Sequence, residues 1–418
     1  MPRGYAPLIP SIILVLLAVS FIIIASPSTL FYKSHALSGL SAPISDVSAI
    51  DGIAEQNELC RYDNLSICHV YSILNGFYAI SFTETFGAES NPTGSPIGGG
   101  PGYSEIYTQK DPRVTAVVAT KDQLLSALGS ARAGDVIFVE STANIDLTGY
   151  HYGVTIPAGV TLASDRGNAG SSGARIYQAR TTADPEDGYL VAIKAGGANV
   201  RITGLRIEGP DMTNATVIGP KIGILSEYSG LEVDNCEIWG WSWSGIHLHN
   251  TTSVNAGYFH HNNLYHIQDG ELGYAISFGE NASGLIEANM FDYCKEAVDT
   301  SGYPESGYEA RYNWAGPNFT HCVFHNHNIG SSGGKYIKIH HNTMEVTSTY
   351  AVGIRGIPSE GAYIHHNVAM HNMNGNSPNL APFFQQYYCG NMHATWNIIG
   401  PEYSLWESGP VDLLQCSL

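Results

Sequence analysis

A short pattern that recurs without a fixed period constrains this chain more than any other feature. An apolar residue is followed by two polar or aromatic positions, often His, then Asn or Cys, one spacer and another apolar residue. Taking the Asn or Cys as anchor gives Cys236, Asn262, Asn289, Cys322, Asn342, Asn367 and Asn397. Three positions before them stand Val233, Phe259, Ile286, Phe319, Ile339, Ile364 and Ala394; two positions after stand Ile238, Leu264, Phe291, Phe324, Met344, Ala369 and Ile399. The anchor spacings of 26, 27, 33, 20, 25 and 30 residues exclude a helical repeat of constant length. They fit a solenoid whose coils share short strands and differ in loop length.

Between anchors a second strand is expected at Ser244–His249, Tyr274–Phe278, Ala297–Thr300, Asn328–Ser331 and Val352–Arg355, with Ile246, Leu248, Ile276, Phe278, Val298, Ile329, Val352 and Ile354 pointing inward. Stacked Asn side chains can donate and accept along such a column, so buried polar groups stay satisfied. The fold class is therefore all-β, a parallel β-helix. At its anchors the chain resembles the right-handed β-helix of the pectate-lyase-like superfamily, whose coils often carry an internal asparagine ladder. Toward the N-terminus the order of a helix after Thr120, then Gly134-Asp-Val-Ile, Val154-Thr-Ile-Pro-Ala-Gly-Val-Thr-Leu and Val200-Arg-Ile-Thr-Gly-Leu-Arg-Ile resembles the first coils of many secreted β-helix proteins. The resemblance covers roughly Val114 to Ile399 and implies a secreted polysaccharide-processing class, but it designates no catalytic residue.

Four segments follow: residues 1–36 as a signal peptide or membrane anchor, 37–112 as a poorly patterned extension, 113–400 as the β-helix with an N-terminal cap helix, and 401–418 as a C-terminal tail or cap. The apolar run Leu8–Ala25 carries the first assignment. Asn91–Gly102 reads as the clearest flexible stretch. A formal charge of −18 argues against nucleic acid and anionic membrane as partners and leaves an extracellular polysaccharide, bound by a monomer. Sequons at Asn64, Asn214, Asn250, Asn281 and Asn318 suit a glycosylated, extracellular surface. Of the seven Cys, Cys60 with Cys68 and Cys389 with Cys416 can pair, Cys236 and Cys322 read as buried anchors, and Cys294 is uncommitted.

Outward positions of the second strand line up as His247, Ser277, Asp299, Gly330 and Gly353, and beside them His249, Gly279, Ser301, Ser332 and Arg355. Small residues among His, Asp and Arg suit a groove for an extended saccharide. Within the longest anchor spacing, Thr300–Asn313 reads as a functional loop carrying Tyr303, Glu305, Tyr308, Glu309, Arg311 and Tyr312. Tyr303, Tyr308, Tyr312, Glu305 and His249 are the expected substrate contacts, and Asp299, Arg311, Glu309, His247 and Arg355 the expected catalytic groups. A lyase, with His or Tyr as base and Arg311 or Arg355 neutralising a uronate, is slightly favoured over a hydrolase that pairs Asp299 with Glu305 or Glu309. The competing expectation is a non-catalytic glycan-binding or structural solenoid at the cell surface. The pairs His260-His261, His340-His341 and His365-His366 read as stacked corners rather than metal ligands, and Asp165–Gly167 and Asp184–Asp187 as turns that can also take Ca²⁺.

Overall fold

A computed structural model describes residues 85–418, except 151–152, 181–189, 211–220, 251–252, 269–271, 347–349 and much of 370–418; of residues 1–84 it describes only strand backbone. The chain divides into two units, residues 1–85 and 86–418. In the first, Phe21–Ser26, Thr29–Ser34, Ser66–Tyr71 and Ile80–Thr85 make an antiparallel sheet. Most of the apolar run from Leu8 lies outside the described residues, as do the Cys60–Cys68 and Cys389–Cys416 pairings and the turn at Asp184–Asp187. No helix among the described residues is long and apolar enough to cross a membrane.

The second unit is a parallel β-solenoid of three sheets. A representative coil contributes Leu231–Asp234 to sheet 1, Glu237–Trp239 to sheet 2 and Ser244–Leu248 to sheet 3, and the next coil re-enters sheet 1 at Asn255–His260. Sheet 1 begins at Val114–Val118 and sheet 3 at Val154–Ile156. Inward residues such as Val233, Ile238, Ile246, Phe259, Leu264 and Ile276 fill one continuous apolar core, so each coil covers the face its neighbour exposes. The helix Lys121–Ser130 opens with a capping box between Thr120 and Gln123 and buries Leu124 and Leu128 in that core. It packs against Val114–Val118, Val136–Val139 and Val154–Ile156. Past residue 400 the sheets continue, with Ser404–Trp406 antiparallel in sheet 2 and Leu414–Cys416 parallel in sheet 3.

The polar column is an asparagine ladder, and it corrects one anchor. Asn289 Oδ1 accepts from Asn262 N and Nδ2 at 2.9 and 3.0 Å, and Asn313 Oδ1 accepts likewise from Asn289. The ladder then runs through Asn342 and Asn367 to Asn397, while Cys236 N donates to Asn262 Oδ1 at its other end. Asn313 therefore holds the rung assigned above to Cys322. Ala310 and Ala315, rather than Ile or Phe, flank it, and these small residues hide the pattern. Thr300–Asn313 is consequently no insertion: Gly307–Arg311 is a regular strand of sheet 1, paired with Ala282–Glu287 and Tyr336–His340. Cys322 begins the sheet 3 strand Cys322–Asn326 instead. Cys236 and Cys294 lie in the apolar core, as a small free Cys commonly does.

From Cys236 to Asn367 the residue before each rung sits in left-handed backbone: Asn235, His261, Ala288, Tyr312, His341 and His366. These corners stack as the His pattern implies: His340 on His365 and His341 on His366, both with ring centroids 5.0 Å apart. Along the same corner lies the stretch 86–104, which includes the segment expected to be flexible. Gly87 N donates to His366 O, Ala88 N to Thr343 Oγ1, Gly98 N to Ala288 O and Gly100 N to Asn235 Oδ1. Arg166 clamps it through Gly98 O at 3.0 Å and Asn235 Oδ1 at 3.2 Å, and Tyr103 OH donates to Asp234 Oδ2. Asp165 accepts from Ser141 and Ser171, which makes its turn internally satisfied.

Candidate functional site

Parallel register on sheet 3 aligns Leu225, His247, Ser277 and Asp299. Pairing of Val298 with Phe324 and of His325 with Gly353 sets His325 between Asp299 and Gly353. Just beyond the strands, the hydrogen bonds from Gly279 N to Leu248 O, Ser301 N to Phe278 O, His327 N to Thr300 O and Arg355 N to Asn326 O carry a second column. His325 and His327 thus take the places assigned to Gly330 and Ser332. The cause is the anchor correction, because Cys322–Asn326 and not Asn328–Ser331 is the strand. These columns floor a groove of about 620 Å³ whose lining includes Trp243, His247, Tyr274, Asp299, Tyr303 and His327.

His247 is buried, with Nδ1 2.7 Å from Ser277 Oγ. The Ser277 proton goes to Ser244 Oγ, and this chain assigns the His247 proton to Nδ1. Burial and then the neighbouring His249 lower its pKa to about 3, so the ring is neutral at pH 7. His327 Nδ1 donates to Asp299 Oδ1 at 2.8 Å, which fixes the tautomer and leaves Nε2 as acceptor. The His327 side chain is 31% exposed and the Asp299 side chain 9%, so the imidazole is reachable while its orienting carboxylate is shielded.

Beside this pair sits a second cluster. Glu296, wholly buried on sheet 3, has Oε2 3.0 Å from His325 Nδ1 and Oε1 2.9 Å from His321 Nδ1. The latter contact is off-axis, and Oε1 has no hydrogen bond. Burial alone would lower the His325 pKa, but the Glu296 and Asp299 carboxylates outweigh it and raise it to about 9. Burial alone would raise Glu296, but the charge of and hydrogen bond from His325, with the nearby His321, pull it below the usual carboxylate range. A third group, Glu232, Asp234 and His260, is occupied by Arg201, which pairs with both carboxylates.

Of the expected site residues, His247, His249, Asp299 and Tyr303 line the groove. Arg355 continues the His327 column, and its charge acts on Tyr274 and Cys322. The others are placed elsewhere. Tyr308 is fully buried in the core and its hydroxyl donates to His325 O, so it is no substrate contact. Glu309 and Arg311 are on sheet 1, where Arg311 Nη1 binds Glu309 Oε1 at 3.0 Å and Nε binds Glu287 Oε1 at 2.6 Å. Tyr312 packs on His341 at the corner, and Glu305 pairs with Lys335 at 3.0 Å. Once Gly307–Arg311 is a strand of another sheet, these side chains have no reason to meet Asp299.

No protein-family model, curated protein or solved structure matches the chain. The fold and the groove therefore stand on their own geometry. Glu296, His321, His325 and His327 were absent from the expected site. Their signal is the run His321-Cys-Val-Phe-His-Asn-His327, in which His325 and His327 are two positions apart and His321 stands just before the strand. Taking Cys322 as an inward anchor concealed it.

Proposed function

We propose that the sheet 3 groove binds an extracellular polysaccharide and cleaves it by β-elimination at a uronate residue. The observation that carries this reading is the His327–Asp299 pair: a solvent-reachable imidazole held at Nδ1 by a shielded carboxylate, in a groove with aromatic walls. His327 Nε2 takes the C5 proton, the electron pair forms the C4–C5 double bond, and the C4–O4 bond breaks. The departing oxygen takes its proton from the hydroxyl of Tyr303, which lines the same groove. Trp243, Tyr274 and Tyr303 offer rings on which sugar faces pack. The fold-level likeness to the pectate-lyase-like superfamily, with its right-handed winding and secreted or surface-anchored members, supports the substrate class by analogy alone.

A hydrolase is the second reading, favoured by one observation: Glu280 lines the groove together with Asp299. Full-length protein assayed on neutral and uronate polysaccharides separates the two. Elimination yields new reducing ends with the ultraviolet absorbance of an unsaturated uronate, whereas hydrolysis yields reducing ends alone. On the first reading His327→Gln lowers turnover by about 10²–10⁴-fold, the usual contribution of a positioned base. Retained glycan binding without cleavage on any substrate would leave a non-catalytic glycan-binding solenoid.

A further inference from the structure

We propose that Glu296, His321, Cys322 and His325 form a binding site for a zinc-class transition-metal ion on the outer face of sheet 3, beside the groove and independent of what occupies it. One ligand atom from each of the four lies within 4.8 Å of the other three. Glu296 Oε1 to His321 Nδ1 is 2.9 Å, Glu296 Oε2 to His325 Nδ1 is 3.0 Å, and Cys322 Sγ to His321 Nδ1 is 3.3 Å. A tetrahedral zinc with bonds of about 2.0–2.3 Å needs its ligand atoms about 3.3–3.8 Å apart. The short contacts need only a few tenths of an ångström of expansion, and the other ligand atoms, all within 4.8 Å of one another, close in by side-chain rotation.

Three further observations point to a cation. Glu296 carries a buried oxygen, Oε1, with no hydrogen bond, an uncommon state for a carboxylate. Two imidazoles converge on that carboxylate through the same ring atom, Nδ1, so one small ion can replace both contacts. Charge also balances: one carboxylate and one thiolate against a divalent ion leave the loaded site neutral, as a buried location favours. Glu296, Cys322 and His325 are buried, while the His321 side chain is 34% exposed and gives a route of entry. Two imidazole nitrogens and a sulfur select zinc, cobalt or copper over Ca²⁺. Binding displaces the Cys322 thiol proton, and any proton on the two Nδ1 atoms, to solvent. His325 would then leave Asp299, whose remaining hydrogen-bonding partner in the groove is His327.

The test uses full-length protein stripped of metal by chelator and dialysed against Zn²⁺ or Co²⁺ alone. One ion per chain is expected. With Co²⁺, a thiolate-to-metal charge-transfer band should appear and vanish in Cys322→Ser. His325→Gln should weaken Zn²⁺ binding by more than the roughly 100-fold that loss of an outer partner costs. His341→Asn, at the distant corner, serves as control and should leave binding unchanged. No stoichiometric ion, a Co²⁺ spectrum without thiolate character, or equal loss in the corner variant would each overturn the proposal. Circular dichroism of every variant separates lost ligation from lost folding.

Discussion

Each ladder asparagine answers a problem that the solenoid itself creates. At the corner the chain turns inward with its backbone N–H pointing along the stack, away from water and from any strand. Asn289 resolves it for the coil before: its Oδ1 accepts from Asn262 N and Nδ2, and its Nδ2 donates to Phe259 O. Replacing Asn289 with Ala leaves buried donors and a carbonyl unpaired at once. At about 1–3 kcal/mol for each unsatisfied group, the expected loss is about 3 kcal/mol or more, read by denaturant unfolding. A cost below about 1 kcal/mol would mean that water replaces the amide. Cys236 can end the ladder because a thiol needs no such partner, and its own N–H is served by Asn262.

At the scale of the element, the paired histidines make the corner sensitive to acid. His260 and His261 meet Nδ1 to Nδ1 at 2.9 Å, as do His340 and His341, so each pair has room for one proton between the facing nitrogens. Burial first and the partner ring second lower His261 to about 4 and His341 to about 3, from an ordinary 6.5. Because the folded values lie below the unfolded one, the unfolded chain binds more protons between them. Stability is then complete above about pH 6.5 and is lost as pH falls toward about 4 for His261 and about 3 for His341. Melting temperatures should drop across that window and drop less in the variant His261→Asn with His341→Asn; equal slopes would remove the corner from the account.

The same elements show how far the sequence can be read. Parallel coils and the Asn column were legible because each rung repeats the same local chemistry. The groove's His content was not, because strand phase depends on every rung being found. With Ala310 and Ala315 around Asn313 the apolar signal weakens, Phe319 and Phe324 around Cys322 mimic it, and one misplaced anchor moves His325 and His327 off the sheet. His247 escaped because the anchors on either side of it, Cys236 and Asn262, were correct, and Asp299 because it follows the correct anchor Asn289 by only ten residues.

Across the whole molecule, the stretch 86–104 fastens distant coils to one another. Gly99 is one of its closest approaches: φ is +69°, and a Cβ there would lie 2.3 Å from His261 O. Gly99→Val should therefore lift the segment from the corner while leaving the coils stacked. The expected signs are new cleavage by limited proteolysis within 91–102 and a lowered melting temperature with an unchanged β circular dichroism spectrum. Resistance equal to that of the parent chain would show that the segment is held without this contact.

The fastening also sets an order of events during synthesis. Ala88 leaves the ribosome 255 residues before Thr343, the residue whose hydroxyl receives its N–H. At about 5–20 residues per second, roughly 13–50 s pass between the two. Through that interval the early coils can stack one upon another, but the segment made first has nowhere to finish docking. Its last contacts become available only when translation has delivered the turn at His366, so a nascent chain interrupted earlier keeps its corner uncovered and its leading segment open to proteases.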